Sequence, residues 1–235
     1  MKHATFNILA DAYTSYGDYS HADPELMVPG ARLPRVIRQI NELEADVVGL
    51  QEADRSVVEV FEADENWQTF WTPKGRNKPD GCLALVKNGI EVTDYESHLY
   101  DDESGHVFQV IRIGQLAVAN THIKWAPADD VDHIGVAQTR QLLGAITGDE
   151  SAVILADCND QPGGRVQTMI GDAGFMSMSG ERPTALVNGR PVAIDLLAVR
   201  GLSGTFIPRT YDLESIPNET CSSDHIPLVA ELVAK

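Results

Sequence analysis

At 235 residues and 43% hydrophobic content, the chain can bury one sizeable core, and a single domain over residues 1–235 is expected. A formal net charge of −17 argues against a surface built to grip long nucleic acid. A short or small anion, held locally or through a metal ion, stays compatible with that charge.

No apolar run approaches the ~18 residues that cross a bilayer, so no membrane association is expected, and residues 1–7 lack the apolar segment of a signal peptide. The three cysteines, Cys82, Cys158 and Cys221, are far apart and form no CxxC pair. They read as buried free thiols of a reducing compartment, the cytoplasm.

In chain order, His3 to Leu9 alternates as a strand and places Asn7 near its end. Asp11 to Gly30 is a loop long enough to serve binding. Leu33, Val36, Ile37, Ile40 and Leu43 recur at helical spacing, with Pro34 suited to the first turn. Asp46 to Glu52 is an apolar strand closed by a carboxylate, and a shorter helix covers Arg55 to Ala63. Trp67–Trp71, Cys82–Val86 and Ile90–Ser97 are short strands. Between the first two, the Gly- and Pro-marked loop Pro73 to Gly81 carries Lys74, Arg76 and Lys78.

His106–Ile113 and Leu116–His122 make a hairpin turning at Gly114-Gln115. A helix over Val136–Ile146 precedes the run Ala152-Val153-Ile154-Leu155-Ala156. That run is apolar on both sides and ends abruptly in Asp157-Cys158-Asn159-Asp160. Alternation sends Asp157 and Asn159 to one side of the backbone and Cys158 to the other. A short helix from Arg165, a strand over Ala193–Val199, another over Gly204–Thr210 and a last one within Ser222–Leu232 complete the chain. Strands interspersed with helices and hairpins predict two mixed, mostly antiparallel sheets packed face to face with helices outside.

Asn7, Glu52, His122, Asp157, Asn159, Asp195, Asp224 and His225 all open or close apolar strands. Each alone has an ordinary explanation, as a turn cap or a hydrogen-bonded core residue. Together they would bury too many carboxylates and imidazoles without a common purpose. Carboxylates without thiol partners prefer Mg²⁺ or Mn²⁺. Two histidines beside them can exchange protons near neutral pH. The set suits attack of water on a phosphate ester.

Phe6-Asn7-Ile8-Leu9-Ala10-Asp11, Leu50-Gln51-Glu52, Asn120-Thr121-His122, Asp157-Cys158-Asn159, Ile194-Asp195 and Ser223-Asp224-His225-Ile226-Pro227 resemble, in order, the motifs of the endonuclease/exonuclease/phosphatase superfamily. Asn-Ile-Leu-Ala-Asp and Thr-His-Ile-Lys are most similar to its CCR4/nocturnin-type branch. The resemblance implies a four-layer α/β sandwich. It also implies Glu52 as central metal ligand with Asn7 and Asp224 near the metal, and Asp157 as the residue that orients or deprotonates water. Asn159 is then its partner on the phosphate, His225 the histidine on the scissile phosphate oriented by Asp195, and His122 the second histidine. Cys158 and Leu196 depart from the usual pattern, but neither removes a chemical group.

The expected activity is metal-dependent hydrolysis of a phosphodiester in a short nucleic acid, an RNA end or a nucleotide, by a monomer. A small molecule or lipid head group is the alternative substrate, and a non-catalytic phospho-ligand or protein binder the second alternative. Trp125 is a candidate stacking residue and Lys74, Arg76 and Lys78 are candidate phosphate contacts.

Overall fold

The computed structural model describes residues 1–234. One sheet has the strand order β13(Leu202–Phe206), β14(Leu228–Ala234), β1(Lys2–Asn7), β2(Val47–Asp54), β4(Asp80–Lys87), β3(Trp67–Pro73). The second has the order β5(Asp94–Leu99), β6(Val107–Ile113), β7(Leu116–His122), β8(Ser151–Asp157), β12(Asp195–Arg200), β9(Met176–Ser177). A small hairpin, β10(Ala185–Val187) and β11(Arg190–Val192), stands apart from both sheets.

Each sheet is antiparallel except for one central parallel pair, β1 with β2 and β7 with β8. Parallel neighbours need a crossover. Here α1(Leu33–Glu42) lies in the first crossover and α3(Ile134–Ala145) in the second. The other helices are α2(Arg55–Glu62) and α4(Arg165–Asp172). Asp54 stops β2 and starts α2, its carboxylate accepting from Ser56 N at 3.0 Å and Val57 N at 3.2 Å.

Three apolar clusters define four layers. Phe6, Leu50 and Leu83 pack with Ile40, Val58 and Phe61 beneath α1 and α2. Ile154, Ala156 and Leu196 pack with Leu142, Val166 and Ile170 beneath α3 and α4. Between the sheets lie Val47, Val86, Val118, Val153, Leu155, Leu197 and Leu228. β8 thus sends Ala152, Ile154 and Ala156 to the helices and Val153 and Leu155 to the other sheet, which is why its whole run is apolar. The α/β sandwich implied by the sequence is the observed architecture.

Strand boundaries differ where chemistry ends a run early. β1 stops at Asn7, Pro227 delays β14 to Leu228, and β5 begins only at Asp94. β9, β10 and β11 were not expected, being two or three residues long and too short to show a period. The loop placed at Pro73–Gly81 is shorter than expected, because β3 runs on through Pro73 and β4 starts at Asp80. Gly81 permits this close hairpin, since a Cβ there would lie 2.3 Å from Thr72 O. Cys82, Cys158 and Cys221 are buried free thiols, and Cys158 packs in the core under α3 and α4.

Candidate active site

The two parallel pairs deliver their carboxyl ends to one edge of the molecule. Asn7 pairs with Gln51, and His122 with Asp157. β12 runs antiparallel to β8, so its first residue, Asp195, meets Asp157 at the same edge. Asp224 and His225 arrive in the segment before β14, where His225 bridges to Ala185.

Backbone irregularities aim two of these side chains. The ladder between β2 and β4 slips after Leu50, and Glu52 sits in the left-handed region at φ 55°. Such a bulge re-aims a side chain that would otherwise follow the pleat. Asn159, just past β8, has φ 47°. A non-glycine residue in that region is held by its surroundings. For Asn159 these are its N–H, which donates to Asp157 Oδ1 at 2.9 Å, and its amide, which donates to Ile123 O at 3.0 Å.

At the centre, Asn7 Nδ2 donates to Glu52 Oε1 at 3.1 Å and to Asp157 Oδ2 at 2.8 Å. Its Oδ1 accepts from Leu9 N at 3.0 Å, and Ala10 N donates to Glu52 Oε2 at 3.1 Å. One neutral amide therefore holds two carboxylates together. Burial raises the pKa of both carboxyls. Asp224 adds to the rise at Glu52 against the pull of Lys74, and Asp195 adds to it at Asp157 against His225.

On one flank, His225 Nδ1 donates to Asp195 at 2.9 Å, and its Nε2 lies 3.9 Å from Asp157 Oδ2 and 4.0 Å from Asp224 Oδ1. Burial opposes a charge on His225, but Asp195, Asp157 and Asp224 outweigh it and hold its pKa well above the ordinary imidazole value. Tyr19 donates its hydroxyl to Asp224 Oδ2 at 2.8 Å.

On the other flank, His122 Nε2 lies 3.6 Å from Asp157 Oδ2 and 3.0 Å from the Asn159 amide. Lys74 Nζ donates to His122 Nδ1 at 3.2 Å and to Asp80 Oδ2 at 2.5 Å. An ammonium can only donate, so Nδ1 accepts. Burial first, then Lys74, holds the pKa of His122 well below its ordinary value. Tyr13 donates to Asp80 Oδ1 at 2.6 Å.

All eight strand-end residues therefore meet, and Lys74 joins them. The three loop cations do not act as one patch. Lys74 is buried in the site, whereas Arg76 is 61% exposed at its side chain and paired with the exposed Glu103. Such an exposed pair is weak and leaves the guanidinium open to other partners. Lys78 is half-buried and close enough to Lys74 and Lys124 for their repulsion to lower its pKa, after burial. Trp125 is 64% exposed, beyond the end of β7.

Asn7 stands at the centre of this cluster, with its Nδ2 toward the two carboxylates and its Oδ1 accepting from Leu9 N. Asp80, Tyr13 and Tyr19 escaped the sequence reading. Pro79-Asp80-Gly81 looks like a turn, and the two tyrosines sit in a loop without periodicity.

The donor set fits a hard divalent cation. Glu52, Asp224, Asp157 and Asp195 offer oxygens, and thiolates are absent from the set. Asp157, Asp195 and His225 place one ligand atom each within 4.8 Å of one another, but Asp195 is already engaged by His225. Glu52 and Asp224 add carboxylates at the same edge, each within reach of the residues around Asp157. A cation there would offset the burial that raises Glu52.

An edge of acids and imidazoles above a four-layer sandwich defines a phosphoesterase-type hydrolase fold. The chain belongs to the Endonuclease/Exonuclease/phosphatase family, whose model matches residues 4–225. That family comprises phosphoesterases and nucleases. A search of curated protein sequences returned no match. Among solved structures, ANGEL2, a 2′,3′-cyclic phosphatase, superposes with TM-score 0.83 at 17% identity, covering 98% of this chain and 94% of that one. The human Nocturnin catalytic domain with bound sulfate gives TM-score 0.75 at 16% identity over 100% and 94%. A humanized D. rerio TDP2 gives TM-score 0.71 at 14% identity over 100% and 99%. At these identities the likeness is one of fold.

Proposed function

We propose that the chain is a divalent-metal-dependent phosphodiesterase acting on a short nucleic acid, an RNA end or a nucleotide. The observation that carries this reading is the convergence on Asp157 Oδ2 of Asn7 at 2.8 Å, His122 at 3.6 Å and His225 at 3.9 Å. A carboxylate flanked in this way can orient a water and take its proton, and burial makes it a stronger base than a free aspartate. Protonated His225, held by Asp195, presents Nε2–H to a phosphate oxygen. Lys74, His122 and Asn159 line the opposite side, where a second oxygen or the leaving group would sit.

Mg²⁺ or Mn²⁺ held by Glu52 and Asp224 would supply charge to a phosphate oxygen. Lys74, Arg76, Lys78 and Trp125 are proposed contacts for the rest of the substrate. ANGEL2 has been solved with adenosine-2′,3′-vanadate, which supports including cyclic phosphate ends in the substrate class. We read residues 1–235 as one domain acting as a monomer. Among the described residues no helix is long and apolar enough to cross a membrane, and the free thiols fit the cytoplasm.

The test is a substrate panel with Mg²⁺ and Mn²⁺: oligo-RNA, RNA with a 2′,3′-cyclic phosphate end, oligo-DNA, a nucleotide and inositol phosphates. Glu52→Gln keeps the size and removes the charge, and should nearly abolish turnover. Unchanged Mg²⁺ or Mn²⁺ affinity of that variant by calorimetry would remove Glu52 from the ligand set. Turnover of inositol phosphates alone would overturn the nucleic-acid reading.

A further inference from the structure

We infer that Asn120 is a positioning residue for Glu52: its side-chain amide reaches across from the second sheet and braces the bulge that aims Glu52 into the site. The inference rests on the reading of Glu52 as a working site carboxylate.

The contacts concentrate where the ladder breaks. Leu50 and Leu83 form the last regular pair of β2 with β4, and the next pair is Ala53 with Gly81. Asn120 Nδ2 lies 3.2 Å from Leu50 O and 3.2 Å from Leu83 O, so it touches both carbonyls at the slip. Its Oδ1 accepts from Gln51 Nε2 at 2.7 Å, the residue between that slip and Glu52. Gln51 in turn is held by Thr5 Oγ1 at 3.0 Å. One side chain of β7 thus grips three consecutive features of the bulge.

The amide has little freedom to let go. Asn120 is 1% exposed, and Gln51 and Gln109 are fully buried. Gln109 Oε1 also accepts from Asn120 Nδ2 at 2.9 Å, while Gln109 Nε2 donates to Thr72 Oγ1 at 2.9 Å and Phe70 O at 3.1 Å. Turning the Asn120 amide would strand several buried polar groups away from water, which is costly. Gly49 keeps the space open, since a Cβ there would lie 2.8 Å from Asn120 Oδ1. Asn120 also stands two residues before His122 on β7. The same strand that carries His122 therefore braces the backbone that carries Glu52.

The experiment compares Asn120→Leu with Gln109→Met, which loosens the same amide from the far side, and with Val118→Ala. Val118 is a buried inter-sheet residue of β7 with no contact to the bulge in the hydrogen-bond network. Crystal structures, melting temperatures, and kcat and KM on a phosphodiester are measured for all three. In Asn120→Leu, Glu52 should leave the left-handed conformation. Its carboxylate should shift by about 1 Å, and kcat should fall roughly 10–100-fold with KM nearly unchanged. Gln109→Met should act in the same direction more weakly and serves alone if Asn120→Leu does not fold. Val118→Ala should lose melting temperature yet keep kcat. An unmoved Glu52, or kcat that simply follows melting temperature across all three, overturns the inference. A wild type that hydrolyses nothing overturns the functional reading, and the Glu52 backbone in the variants still decides this one.

Discussion

His122 and His225 are each 6% exposed and both face Asp157 Oδ2, yet their neighbours drive their protons apart. Burial by itself lowers both, because an imidazolium loses its hydration. Around His225 the residues within reach are Asp195, Asp157 and Asp224, and these acids keep the ring charged. Around His122 the nearest charge is the Lys74 ammonium at 3.2 Å, which adds to the burial and keeps the ring neutral. Burial therefore acts alike on the two rings, and the charges beside each ring oppose it at His225 and add to it at His122. Asp157 sits between a ring whose charge its acids favour and a ring whose charge burial and Lys74 oppose, so the two flanks are suited to different oxygens of one phosphate.

The variant that breaks both flanks at once should have the largest effect. Asp157→Asn removes the shared carboxylate, and kcat should fall by ~10² or more. Its melting temperature should hold, since relieving a crowded acidic cluster removes repulsion. A normally folded variant with wild-type turnover would end the assignment of Asp157 as base.

Asp195→Asn tests the charged flank alone. Without that carboxylate at 2.9 Å, burial should regain control and lower the pKa of His225. The activity profile should then lose its high-pH side as His225 deprotonates earlier, with kcat at neutral pH down by ~10². A profile of unchanged shape would mean that Asp157 and Asp224 suffice to hold the proton.

Lys74→Met tests the neutral flank, and a smaller loss of about tenfold is expected, below the ~10²–10⁴ of a group that itself transfers the proton. With the ammonium gone, the His122 pKa should rise, which proton NMR of the imidazole resonances would follow directly. An unmoved His122 resonance would assign its neutrality to burial alone.

The smallest effect concerns stability away from the site. His3, at the opposite end of β1 from Asn7, is buried and its pKa is lowered to about 4, mainly by burial. The unfolded chain, with the ordinary value of 6.5, binds the extra proton first. Stability is thus lost as pH falls from 6.5 towards 4, by no more than about 3 kcal/mol. His225 works with opposite sign and in another window: its raised pKa contributes stability that is lost only as pH rises above 6.5. Urea unfolding at pH 7 and pH 5 should show a smaller difference for His3→Gln than for wild type. Equal differences would show that His3 does not titrate on unfolding.

What the sequence by itself determined is the polar punctuation of the strands. Asn7, Glu52, His122, Asp157, Asn159, Asp195, Asp224 and His225 stand out because each interrupts or borders a run that has no other reason to be polar. In an α/β sandwich such ends are carried to a common edge. Local pattern also located α1, the β6–β7 hairpin and β8, whose periods or turn residues are intact over their length. Only the tertiary structure decided which polar residues join that edge from elsewhere. Lys74 and Arg76 are two residues apart in one cationic loop, yet one is buried against Asp80 and His122 and the other lies on the surface against Glu103. Asn120 and Gln51 read as parts of strand motifs, and their pairing across the two sheets appears only when the sheets are packed. The physical reason is common to both cases. Burial and charge state depend on neighbours such as His122, 48 residues from Lys74, and Asn120, 69 residues from Gln51, and no local pattern encodes which neighbour arrives.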